Sequence, residues 1–102
     1  MSLQTYILKL IEGITDISLR ATIVTTLAAI REAYRRGIIS EDELRRDLAG
    51  ICLDILSVKY PLKDVEELRS EAEQWADELF RLIKIEAVRL RYLARYSRRE
   101  TE

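Results

Sequence analysis

Nothing in the sequence interrupts a helix between Asp64 and Arg98: after Pro61 the chain holds no glycine or proline, and strong helix formers fill the interval. At 1.5 Å per residue such a helix is roughly 50 Å long. It is the longest element the chain has to cover, and the upstream residues are judged by how much of it they can reach.

Three shorter helices precede it. Leu3, Tyr6, Ile7, Leu10 and Ile11 recur at helical spacing and Gly13 follows as a left-handed stop, which predicts a first helix over 2–12. Asp16 or Ser18 caps a second helix over 18–36, whose apolar face is Leu19, Ile23, Leu27, Ile30 and Tyr34 and which ends before Gly37. The β-branched run Thr22–Thr26 would also suit a strand, but the sequence offers no partner strand and the i, i+4 pattern continues through Ala33. Ser40 and Glu43 form a capping box that opens a third helix over 41–59, with Leu44, Leu48, Ile51, Cys52, Ile55 and Val58 on one face and Tyr60–Pro61 closing it. The turn between the second and third helices is so short that they are expected to form an antiparallel hairpin. The fold expected is all-α, a single domain over 1–102, with four helices and the hairpin packed on the long C-terminal helix over 64–98. Two helices of about nineteen residues span only roughly 28 Å each and leave part of that helix uncovered.

The long helix carries two apolar stripes. Val65, Leu68, Ala72, Trp75, Ala76 and Leu79 fall on one side, and Leu82, Ile83, Ala87, Leu90 and Leu93 continue it; this is the expected core face. In the C-terminal half Ile85, Val88, Tyr92 and Tyr96 make a second stripe, which has to bury against the first helix or a second copy of the chain. The first helix is short, so a homodimer through this stripe is the expectation. Charge is segregated along the same helix: seven acids stand against Arg69 between Asp64 and Phe80, and seven bases against Glu86 between Arg81 and Arg99. An antiparallel pair would set acid beside base. Complementing the helix dipole explains the same signs, but that effect fades within a turn and the segregation runs further.

Residue usage bounds the chemistry. The chain has no histidine, which removes Ser-His and Cys-His nucleophile pairs and imidazole metal ligands. Cys52 is the lone cysteine and falls on the apolar face of the third helix, as a small core residue would. It also excludes an internal disulfide, and a cytoplasmic location is expected. Several carboxylates on one helix face would suit magnesium. Glu66 and Glu67 open like the E-E-x-x-E motif of all-α nucleoside triphosphate pyrophosphohydrolases, but Ser70 occupies the third position. Glu43 and Asp47, like Glu73 and Asp77, are four apart where the following E-x-x-D motif needs three. No metal, cofactor or catalytic residue is expected.

With 48% hydrophobic and 34% charged residues the chain is expected to fold, and a net charge of −1 leaves any attraction to polyanions to local patches. Thirteen arginines against four lysines, with no asparagine and two glutamines, point to a thermophilic source. Charges break every apolar run before about 18 residues, so no membrane span is expected. Two basic patches stand out. Lys84, Arg91, Arg95 and Arg98 line one edge of the long helix with Tyr92 and Tyr96 interleaved, a pattern that suits phosphate contact and base stacking. Arg31, Arg35, Arg36, Arg45 and Arg46 cluster about the hairpin turn, where Glu41 and Asp42 at i, i+4 are expected to offset the last two. A helix-turn-helix reading of the hairpin sets Asp47 and Asp54 toward phosphates and is disfavoured. The function expected is that of a non-enzymatic interaction protein that self-associates or meets a protein partner through its long C-terminal helix. The alternative is nucleic-acid binding by the Arg/Tyr edge.

Overall fold

A computed structural model describes the backbone of residues 1–101 and the side chains of residues 1–96. It is all-helical: α1 (Leu3–Leu10), α2 (Ile17–Arg35), α3 (Glu41–Lys59) and α4 (Val65–Thr101) account for 81% of the chain, and no strand occurs among the described residues. None of these helices is long and apolar enough to cross a membrane.

Local chemistry sets the boundaries. Ser2 caps α1 by accepting from the Thr5 amide at 3.2 Å, and the helix stops two residues earlier than its apolar pattern suggests. There the chain tightens into a turn, with the Glu12 amide donating to the Lys9 carbonyl and Gly13 at φ 89°. Asp16, rather than Ser18, caps α2 by accepting from the Leu19 amide. Its far end is a Schellman motif: the Ile38 amide reaches the Ala33 carbonyl and the Gly37 amide the Tyr34 carbonyl, a geometry that needs the φ of 76° at Gly37. Within α2 the β-branched stretch stays helical, and the Thr22 hydroxyl turns back onto the Ser18 carbonyl. The capping box at Ser40 and Glu43 is present at the start of α3, and Pro61 follows its last turn.

The densest packing joins α3 to α4. Leu44, Leu48, Cys52, Ile55 and Leu56 face Leu68, Ala72, Ala76, Leu79 and Ile83 in one apolar cluster, to which α1 adds Leu3, Ile7 and Leu10. Each fully buried leucine contributes roughly 1.5–3 kcal/mol to folding. The two helices run antiparallel: Glu41 at the start of α3 pairs with Lys84, and Arg45 one turn on pairs with Asp77. α2 packs more lightly and buries only Ile23 and Leu27. The hairpin of α2 and α3 is therefore the lesser contact, because α2 meets α3 along a narrow apolar line while α3 buries a broad face on α4. The Lys59 ammonium donates to the Leu10 carbonyl at 3.3 Å and so satisfies a group that the end of α1 leaves unpaired.

A compact chain of this length has a radius of gyration of roughly 13 Å. Here it is 15.5 Å, with extents of 58 × 28 × 23 Å. The excess is α4, which outruns the other helices.

Candidate functional site

Three contacts fix where the bundle stops along α4. Glu41 reaches Lys84 at 3.4 Å, Arg31 of α2 grips Glu86, and Met1 to Gln4 lie alongside Leu82, Ile85, Glu86 and Arg89. Ala87 is the last buried residue on the helix among those described. Beyond it, Val88 is 63% exposed, Leu90 42%, Tyr92 68%, Leu93 58% and Tyr96 56%.

Two expectations change here. Helical periodicity places Leu90 and Leu93 on the core face, and they do continue that side, but α3 does not extend this far and only the last turns of α2 reach Leu90, so the two stay 42% and 58% exposed. Ile85, on the second stripe, is 39% exposed because the start of α1 lies against it. Val58 and Val65, also placed on core faces by their spacing, stand half-exposed near the opposite end, where the chain turns from α3 into α4.

Taken at 100° per residue, Ile85, Val88, Tyr92 and Tyr96 occupy an arc of about 80°. The same solvent-facing side is acidic nearer the start of the helix, through Glu66, Glu67, Glu73 and Asp77. It becomes apolar and basic after Arg81. Val88, Arg91, Tyr92 and Arg95 together line a shallow groove of about 260 Å³.

The basic edge is only partly assembled as its spacing suggests. Arg91 and Arg95 flank Tyr92 and stand exposed, and no ion pair engages Arg89, Arg91 or Arg95 among the described residues. Lys84 is drawn off toward Glu41 and lies 5.1 Å from the centre of the Phe80 ring. The side chain of Arg98 falls outside the described residues.

The second arginine cluster is offset by partners other than Glu41 and Asp42. Arg35 and Arg36 both turn back to Glu32, and their hydrogen bonds hold its carboxyl down at about 2. Arg31 donates to Glu86, while Arg45 approaches Asp77 at 3.8 Å and lies 4.3 Å from the centre of the Phe80 ring. Glu41, expected to offset Arg45, instead serves Lys84 and accepts from the Tyr34 hydroxyl. Four of the five arginines at the turn are thus engaged, whereas Arg46, like Arg89, Arg91 and Arg95, has no ion pair among the described residues.

Cys52 has no exposed surface, and burial pushes its thiol up to about 12, far from the thiolate a nucleophile requires. Among the described residues no three acid or cysteine side chains converge as a metal site would require.

Sequence reasoning missed the Arg31–Glu86 pair, for which no local signal exists. It also missed the exposure of Leu90 and Leu93, for which a signal did exist in the difference between the helix lengths. Comparison with protein-family models, with curated proteins and with solved structures finds no match. Any functional reading of this chain therefore rests on its geometry.

Proposed function

We propose that the chain is a non-enzymatic helical interaction protein that self-associates through the distal part of α4. The observation that carries this reading is the apolar stripe left uncovered past Ala87. The four side chains of the stripe, Ile85, Val88, Tyr92 and Tyr96, present on the order of 450 Å² on one face of the helix. A stable interface takes about 800 Å² per partner, so the stripe supplies about half and its polar rim has to supply the rest. A twofold axis would set the stripe on its own copy, which is the commonest way for one chain to cover such a patch. Light scattering at micromolar concentration should then give twice the 11.9 kDa chain mass. A monomer under those conditions overturns the proposal.

A second reading, nucleic-acid binding, is favoured by one observation: Arg91 and Arg95 stand beside an exposed Tyr92, and among the described residues no carboxylate engages either. Phosphates would take the guanidiniums, and a base would stack on the ring. Fluorescence anisotropy of single-stranded and duplex oligonucleotides tests it. Binding that falls linearly on a log–log salt plot and is lost on replacing Arg91 and Arg95 supports this reading, and no binding at low salt removes it.

A further inference from the structure

Self-association through α4 has a consequence for charge, and the inference drawn from it rests on that reading. The twofold axis of an antiparallel helix pair stands perpendicular to the plane of the pair, so each edge of one helix lies on the same side as the identical edge of its copy. Arg91 and Arg95 are four residues apart on one such edge, beside the stripe. The middle of the Val88–Tyr96 stretch falls near Arg91. Pairing centred there sets the two Arg95 residues about 12 Å apart along the axis, with both Arg91 residues between them.

Pairing centred near Arg91 leaves the acidic half of α4 outside the pair, so base is set beside base rather than acid beside base, and four guanidiniums gather on one edge. Back along α4 little neutralises them: Glu86 is held by Arg31, and Glu78, the next acid in that direction, is bonded to Arg81 and lies about 20 Å along the helix from Arg91. Forward of Arg95 the sequence places Arg98 and Arg99 before Glu100. At about 0.1 M salt the screening length is roughly 10 Å, so the four charges repel one another across the pair.

We propose that this composite edge binds a chain of phosphate groups, and that the bound polyanion clamps the two copies together. The four guanidiniums form a row about as long as a short phosphate chain, and each offers a planar fork of donors matched to phosphate oxygens. Arg91 and Arg95 share a groove with Val88 and Tyr92, so once those two are buried between the copies the phosphates lie along the rim of the interface. Association and anion binding are then one linked equilibrium.

The test is sedimentation equilibrium of the full chain at about 0.05 M and about 0.5 M sodium chloride, and with about 1 mM tripolyphosphate at matched ionic strength. The dimer dissociation constant should fall severalfold as salt rises and about tenfold with tripolyphosphate. The double variant Arg91→Gln/Arg95→Gln, with its helicity checked by circular dichroism, should dimerise more tightly than the parent at low salt and lose the response to tripolyphosphate. A single-stranded oligonucleotide at equal phosphate concentration separates the sources: greater tightening than by tripolyphosphate identifies nucleic acid, and equal tightening a free phosphate chain. A dimer that weakens with salt and ignores both polyanions overturns the inference and leaves self-association standing. A monomer in every condition overturns self-association itself.

Discussion

Arg31 and Glu86, 55 positions apart in the sequence, meet through one guanidinium nitrogen that donates to both carboxylate oxygens, at 2.8 and 2.7 Å. The pair joins α2 to α4 where the two helices share little apolar surface. Its side chains are 27% and 33% exposed, so solvent screens it only in part. The guanidinium Nε is buried without a partner, which subtracts from what the pair contributes.

Replacing Glu86 by Gln should therefore lower stability by about 1 kcal/mol, above the median for an exposed pair and below that for a fully buried one. Chemical denaturation checks the value. A double-mutant cycle with Arg31→Met should return most of it as coupling, and independent effects of the two changes would show that the pair does not hold α2 in place.

Val88→Glu and Tyr92→Glu should dissociate the proposed dimer, while Glu66→Lys and Glu73→Lys should leave it intact. Light scattering reads both outcomes. The reverse order would move the interface to the acidic half of α4. Because Val88 and Tyr92 are exposed in the monomer, their replacement should change its stability by less than about 0.5 kcal/mol.

Glu32 gives a signature at low pH. Hydrogen bonds from Arg35 and Arg36 depress its carboxyl from about 4.5 to about 2. A depressed folded-state value means stability that is fully present above the unfolded value and is lost as pH falls toward the folded one. The Glu32→Gln variant should therefore show a flatter dependence of midpoint denaturant concentration on pH between about 4.5 and about 2. Equal slopes for parent and variant would mean that both arginines are released in solution.

Cys52 reports on the core between α3 and α4. With no exposed surface and a thiol raised to about 12, it should resist aromatic disulfide reagents at mildly alkaline pH and react promptly in denaturant. Rapid labelling of the folded chain would contradict the packing of α3 on α4. Leu79→Ala in the same core should cost about 2–5 kcal/mol and bring the labelling rate up with it.

What the sequence discloses about this fold depends on whether the deciding interaction is local. α3 begins and ends where its capping box and Pro61 place it, because both signals act within four residues. α4 continues to Thr101, past the expected end near Arg98, since no residue there opposes helix. Leu90 and Leu93 show the limit: periodicity identifies the side of a helix a residue occupies, not whether another helix extends far enough to cover it. Charge pairing divides in the same way. The Glu32 pairs with Arg35 and Arg36 are readable from spacing, whereas Lys84 with Glu41 and Arg31 with Glu86 depend on how helices align in space. Within the candidate site, Val88, Arg91, Tyr92 and Arg95 come together as their spacing implies because all four lie on one helix.

The reach of α4 past Ala87 bears on how its stripe comes to be helical at all. A free peptide of a dozen residues is marginal as a helix in water, because its first turn fixes several residues for one hydrogen bond. From Val88 to Tyr96 that nucleation has already occurred upstream, inside the bundle, and each further residue adds only a propagation step. The stripe is thus templated by the core it leaves behind: melting the bundle removes the nucleus, and the helical stripe disappears in the same transition.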